Sequence, residues 1–277
     1  MTTPPTGIGD NEVTLLLNDL LDLYGYDFTN YSKASLKRRI ANLVTKDKFP
    51  SFAEFRYRLR NDDNYLLRFV EQVTVNVTEM FRDPSFYKTL RTSVLPLLAS
   101  RPVIRIWHAG CSTGEEVYSM AILLQEAGLL HKSLLYATDI NPGVLEKLRK
   151  GIFPLSQMKQ YSENYNLTGS KDTLSRYYTA QYDYAKFDES LSRQMIISTH
   201  NLVSDSSFNE FQLIVCRNVL MYFDKVLQNK VLELFNHSLE TLGFLALGSK
   251  ETLRFSVIEK NYKQLENREK IWRKMGD

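Results

Sequence analysis

Beyond Pro102 the chain alternates short β-rich runs, at residues 103–107, 133–137, 195–198, 211–215 and 244–248, with segments of helical period. Few folds accept that alternation. It implies a mostly parallel sheet with helices on both faces, and such sheets bind ligands in the crevice at the carboxyl ends of their strands. Two more runs, near 262–266 and 270–274, fit an antiparallel hairpin that finishes the sheet. Residues 153–194 interrupt the pattern with a polar stretch carrying Tyr177, Tyr178, Tyr182 and Tyr184, which reads as a small inserted subdomain.

Before Pro102 the pattern is helical. Leu15, Leu16, Leu20 and Leu21 recur at helical spacing, and four or five helices fit the span to about Ser100. Ser51 with Glu54 has the form of a capping box, and Asp83 with Pro84 that of an N-cap and first helical position. The 277 residues divide into a disordered lead (1–10), an all-α domain (11–82) and an α/β domain (83–277) with its insert at about 153–194.

Several classes of protein are excluded. A net charge of only +3 argues against a nucleic-acid binder driven by counterion release. No apolar run reaches the ~20 residues that span a bilayer, so direct membrane insertion is not expected. The lead is rich in Thr, Pro and Gly and lacks the basic and apolar regions of a signal peptide. Cys111 and Cys216 are too few for a disulfide framework and lack zinc spacing, so no metal and a reducing cytoplasm are expected. The two follow what should be neighbouring strands, close together near the ligand, as core thiols or as a redox pair.

The stretch VIRIWHAGCSTGEEVYS, residues 103–119, carries most of the chemistry. An apolar strand runs into a small-residue turn, where Gly110 and Gly114 let backbone approach a ligand, and then into a helix whose N-terminus offers free N–H groups. Glu115 and Glu116 at that helix start would repel a pyrophosphate. They favour a ligand with an ammonium or sulfonium group, although they would also complement the helix dipole. The next strand ends in Asp139, about 25 residues beyond Gly114, where Rossmann-like sheets place an acid on ribose hydroxyls. Asp139 is equally placed to cap the helix that begins near Pro142. His200-Asn201-Leu202 and Cys216-Arg217-Asn218 follow two further strands, and an Asn side chain matches the donor and acceptor edge of adenine. A plain turn role for either Asn stays open.

Taken in order, TVNVTEMFRD (74–83), HAGCSTGEEVYS (108–119), ATDIN (137–141), HNL (200–202) and CRNVLMYFD (216–224) resemble the motifs of the chemotaxis receptor methyltransferases, the CheR family. Members of that family carry T-x-N-x-T-x-F-F-R, STGEEPYS and CRNV-x-x-YF at matching places. The resemblance spans essentially the whole chain. It implies an α/β, Rossmann-like S-adenosylmethionine-dependent methyltransferase sheet with an all-α N-terminal domain and a small inserted β-subdomain. By position, Asn76, Thr78 and Arg82 would close over the cofactor, Gly110 and Glu116 hold its methionine part, and Asp139 its ribose. Asn201, Leu202, Arg217 and Asn218 would surround the adenosine, and Tyr222 would stand beside the transferred methyl.

The family's acceptor is a glutamate on the cytoplasmic helical bundle of a chemoreceptor, and its second product is S-adenosylhomocysteine. The basic segment 32–48, with Lys37, Arg38 and Arg39, would meet the acidic bundle. Arg82 and Tyr222 are the expected catalytic residues, orienting groups rather than moving protons. Departures from the pattern are Met80 for Phe, Val117 for Pro, and Gly248-Ser249-Lys250-Glu251 in place of a glycine-(His)-Ser-Glu run, which puts a lysine near the site mouth. The insert also lacks the glycine-rich turn, near residues 178–184, of members that dock a receptor's C-terminal pentapeptide, so tethering is not expected. The alternatives are an S-adenosylmethionine-binding sensor without methyl transfer, a methyltransferase of another acceptor such as RNA, and a dehydrogenase.

Overall fold

The computed structural model describes residues 8–29, 31–74, 77–265 and 269–276. Four helices come first: α1 (Asp10–Tyr24), α2 (Lys33–Lys46), α3 (Phe52–Asn61) and α4 (Asp63–Val73). Each turns an apolar stripe inward, so that Leu16 and Leu20, Leu36 and Ile40, Phe55 and Leu59, and Phe69 and Val70 share one core. Ser51 caps α3 by accepting the Glu54 N–H at 3.2 Å, and Asp62 caps α4 by accepting that of Tyr65 at 3.0 Å. Residues 1–7 of the expected lead lie outside the described residues, but its last three residues are ordered. Ile8 is buried in the bundle core and Asp10 already begins α1, because one apolar side chain within reach of the core outweighs the turn-forming residues around it.

Two short helices, α5 (Pro84–Thr89) and α6 (Leu95–Leu98), lead into alternating strands and helices. These are β1 (Ile104–Ala109), α7 (Glu115–Glu126), β2 (Ser133–Asp139), α8 (Pro142–Lys150), β3 (Ile152–Pro154), α9 (Met158–Leu167), β4 (Tyr178–Gln181), β5 (Tyr184–Phe187), α10 (Glu189–Ser192), β6 (Met195–Thr199), β7 (Phe211–Cys216), α11 (Lys225–Ser238), β8 (Leu239–Leu247), β9 (Tyr262–Gln264) and β10 (Ile271–Lys274). The main sheet has the order β6-β2-β1-β7-β8-β10-β9, parallel through β8 and then antiparallel. A separate antiparallel sheet, β3-β5-β4, forms the insert.

Strand periodicity of two splits β1 between two cores: Ile104 and Ile106 pack in the core on the α7 side, Trp107 and Ala109 in that on the α11 side. Trp107 is fully buried and its indole N–H donates to Thr138 Oγ1 at 2.8 Å, pinning β1 to β2. Strand order reverses between β1 and β7, the place where open α/β sheets leave a crevice. No helix among the described residues is long and apolar enough to cross a membrane.

Candidate functional site

A cleft opens at that reversal, enclosing about 1170 Å³ with its open mouth included. Gly110 to Ser112 after β1, Asp139 and Ile140 at the end of β2, His200 to Val203 after β6, and Arg217 to Val219 after β7 line its floor. The roof comes from the helical bundle, through Tyr31, Leu36 and Arg39, and from the connecting segment through Thr78, Glu79 and Arg82. Bundle and sheet are joined beside the cleft. Ser32 N–H donates to the Tyr222 carbonyl at 2.9 Å, Tyr31 forms a β-bridge to Phe223, and their rings meet edge to face at 4.9 Å.

Asp139 sits nine-tenths buried at the tip of β2, accepting N–H groups from Ser112 at 2.9 Å and Asn141 at 3.0 Å. Burial pushes its carboxyl above the usual range, and these backbone donors offset only part of that shift. It does not cap α8. Asn141 does, accepting the Gly143 N–H at 2.9 Å, which leaves the outward edge of the Asp139 carboxylate for a ligand. Glu116 is held differently. Burial would raise its pKa, but a hydrogen bond from His108 Nδ1 at 3.0 Å and the Arg217 guanidinium at 3.4 Å outweigh it and keep the carboxyl below its usual range. An ionised carboxylate therefore faces the cleft.

Arg217 is a buried hub. One nitrogen reaches Glu116, the other donates to Asp83 Oδ2 at 2.5 Å, and its carbon lies 4.2 Å from the centre of the Phe86 ring. Asp83 thus departs from the expected capping role. Its backbone takes the left-handed conformation, φ +57°, its side chain makes no cap bond, and the carboxylate is directed to Arg217 instead. The same segment is anchored at Met80, whose carbonyl accepts from Asn164, and at Phe81, whose N–H donates to Ser119 Oγ at 2.9 Å.

Of the predicted binding and catalytic residues, Thr78, Arg82, Gly110, Glu116, Asp139, Asn201, Leu202, Arg217, Asn218 and Tyr222 all line this one cleft, while Asn76 lies outside the described residues. Glu115 does not share the position of Glu116. One helical step turns it away into a buried site, where it accepts from Thr113 Oγ1 at 2.6 Å. Asn201 has its side-chain oxygen engaged by Val203 N–H at 3.0 Å and its amide turned to the Gly25 carbonyl at 3.4 Å, so it acts as a turn residue in the cleft wall. Lys37, Arg38 and Arg39 do not form one patch. Lys37 pairs with Asp10 at 2.5 Å, Arg39 lines the cleft and donates to the Thr74 carbonyl at 3.3 Å, and Arg38 alone is exposed without an ion-pair partner among the described residues. Lys250 is exposed and outside the cleft lining. Cys111 lies just after β1 and Cys216 ends the adjacent strand β7, and burial pushes both thiols well up, which disfavours the reactive thiolate.

Three cleft features went unmarked in the sequence: Ser112, Tyr31 and the support from Glu251. Ser112 itself takes φ +52°, and its Oγ is buried without a partner among the described residues, a polar atom left over for a ligand. Glu251, 5% exposed, accepts the N–H groups of Gly248 at 2.7 Å, Asn218 at 3.0 Å and Met221 at 3.2 Å and so fixes the loop after β7. Gly110 is required where it stands. Its φ is +77°, and a Cβ there would lie 2.6 Å from Val219. The cleft thus combines a buried acid at a strand tip for a diol, an ionised acid at a helix N-terminus for a cation, and at the roof Arg82, without a hydrogen-bond partner among the described residues, for a carboxylate. Those are the three polar ends of S-adenosylmethionine. Among the described residues no His, Cys, Asp and Glu group is arranged to hold a metal.

Two family models match the chain in succession: the all-alpha domain of CheR methyltransferases over residues 11–74 and the S-adenosylmethionine-binding domain of CheR methyltransferases over residues 76–271. The Cher3 protein of Pseudomonas putida is 44% identical over 265 residues, covering 96% of this chain and 97% of that protein. A chemotaxis protein methyltransferase of Listeria monocytogenes is 33% identical over 232 residues, covering 83% and 85%. One from Borreliella burgdorferi is 28% identical over 265 residues, covering 89% and 90%.

Proposed function

Because the chain belongs to the CheR methyltransferase family, with S-adenosylmethionine as the cofactor of its larger domain, we propose that it methylates glutamate side chains on the cytoplasmic helices of a chemoreceptor. The supporting observation is a cleft that offers oriented charges to cofactor and acceptor, while the two histidines near it are buried and engaged, by Glu116 and by the Ser206 carbonyl. His108 is fully buried behind Glu116, and His200 packs its ring edge against Trp107. A glutamate needs no base for proton removal. With an ordinary pKa of about 4.3 it is already a carboxylate at neutral pH.

When bound, S-adenosylmethionine would supply an electrophilic sulfonium methyl to the acceptor's carboxylate, leaving a methyl ester and a thioether. Two opposite charges disappear in that step, so a site that excludes water favours it. Asp139 holds the ribose hydroxyls, and Glu116, ionised by His108 and Arg217, holds the cationic methionine end. Gly110 lies at that same methionine end, Asn201, Leu202 and Asn218 shape the adenosine wall, and Thr78 closes over it. Arg82, which has no hydrogen-bond partner among the described residues, orients a carboxylate; Tyr222 positions the reacting groups. The bundle keeps out water with Tyr31, Leu36 and Arg39. Tethering through the insert is not part of the reading: its β4–β5 turn places Tyr182, not glycine, at φ +53°.

Peptide mapping of a receptor cytoplasmic fragment after reaction tests this reading. Methyl groups are expected on glutamates; methylation confined to other side chains overturns it. In single turnover, Arg82→Ala should slow transfer by about 10²-fold and Tyr222→Phe by less, the range of misplaced reactants. Unchanged rates would remove both residues from the mechanism.

A further inference from the structure

Of the five cations of α2, Lys37 is paired with Asp10 and Arg39 is turned into the cleft, while Lys33, Arg38 and Lys46 are exposed charges. A second element at the cleft combines exposed charge with exposed apolar side chains. After β8 the chain turns at residues 248–251, closed by Glu251 N–H to the Gly248 carbonyl at 2.9 Å. The Glu251 carboxylate ties this turn to Asn218 and Met221, next to cleft residues Val219 and Tyr222. Gly248 is pressed so close that a Cβ would lie 2.8 Å from Asn218 N. The turn and the cleft wall are one unit.

Farther along, Leu253 and Ile258 are buried in the core that holds Leu220 and Phe223. Between these two anchors Arg254, Phe255 and Val257 stand outward. Phe255 is 95% exposed and Val257 52%, and Phe255 takes the left-handed conformation at φ +65°, which costs a non-glycine residue roughly 1 kcal/mol. That conformation is maintained by Phe255 N–H to Glu259 Oε2 at 2.7 Å and by Ser256 N–H to the Leu253 carbonyl at 3.0 Å. A phenylalanine ring this exposed buries little apolar area within the chain. It is placed for a partner, and aromatic anchors carry much of the energy of protein interfaces. Lys250 and Arg254 are exposed beside it, Met221 is 45% exposed across the Glu251 clamp, and Val77, 78% exposed, lines the cleft. Glu259, just past this turn, has one carboxylate oxygen committed to Phe255 N–H.

We propose that the turn 249–257 is a docking surface for the helix that presents the acceptor glutamate: Phe255 and Val257 receive its apolar side chains, and Lys250 and Arg254 its acidic flank. This rests on the glutamate-methylating reading and adds a place for the substrate. The occupant is the substrate because the Glu251 clamp fixes the turn to the loop bearing the cleft residues Asn218 and Tyr222, which puts a partner on the turn next to the site. Its charge is complementary to a segment rich in glutamate, which raises the rate of encounter.

The test uses the full chain, S-adenosylmethionine and a receptor cytoplasmic fragment. Phe255→Ser and the double variant Lys250→Glu, Arg254→Glu should each raise the KM for the fragment by about tenfold or more, the size of losing an interface anchor. Affinity for S-adenosylhomocysteine should stay within about twofold, since none of the three side chains lines the cleft. Variants with wild-type melting and wild-type KM for the fragment would overturn the proposal. A photo-crosslinking amino acid at position 255 reads docking without turnover. Should the wild-type chain dock the fragment there yet leave it unmethylated, the glutamate reading fails and the docking surface stands; an absent crosslink overturns the surface.

Discussion

Asp139→Ala is expected to weaken S-adenosylmethionine binding by about 10² to 10⁴-fold and to reduce transfer in proportion. Two hydrogen bonds from ribose hydroxyls to a buried carboxylate, at about 1.5–3 kcal/mol each, set that range. The same residue gives a pH signature with opposed signs. Burial raises the folded-state pKa of Asp139 above its unfolded value, so protonation favours the folded form, and the fold gains stability from this group as pH falls through the raised pKa. The cofactor needs the ionised form, so its affinity falls over the same window. Glu116 acts the other way. Its folded pKa is depressed, so its contribution to stability is present above the ordinary carboxylate pKa and is lost as pH drops through the lowered one. Isothermal titration from neutral to mildly acidic pH should therefore show affinity declining before the fold weakens, and Asp139→Asn should flatten the decline. Pre-acidic affinity loss persisting in Asp139→Asn would assign the titration elsewhere.

Arg217→Met should destabilise the chain by about 3–5 kcal/mol, because it leaves two carboxylates facing each other's field without their shared cation. For a chain of this size that is a fall in Tm on the order of 10 °C. Arg217 is almost fully buried, with Glu116 and Asp83 on separate guanidinium nitrogens and the Phe86 ring beneath. Arg217→Lys should restore little, since one ammonium cannot serve two carboxylates and lie flat on a ring. Adding Asp83→Asn to Arg217→Met should recover part of the loss. Thermal melts of the single and double variants decide the matter, and a loss under about 1 kcal/mol in Arg217→Met would mean that the hub is mere proximity.

The sequence revealed most where a position has one local physical cause. Gly110 and Gly114 between an apolar strand and a helix, and Asp139 ending the next strand, specify a strand–turn–helix ligand site without any partner being known. Pairings across great separations were illegible. Asp83 and Arg217 lie 134 positions apart, and a proline-preceding aspartate looks like a cap until its partner is seen. The divergence of Lys37, Arg38 and Arg39, and of Glu115 from Glu116, was readable in principle. Successive helical residues lie about 100° apart, so runs of adjacent charges cannot share a face. The share of the roof that comes from Tyr31 and Leu36 depends on how the bundle seats against Tyr222 and Phe223, and no local pattern in α2 encodes that.

Transfer of labelled methyl from S-adenosylmethionine to a receptor cytoplasmic fragment, read as label released by mild base, tests the central claim most directly. The account predicts base-labile label with the wild-type chain and none with Asp139→Ala. Tight cofactor binding without label would contradict it and identify a chain that senses the cofactor, whereas base-stable label would point to an acceptor other than glutamate.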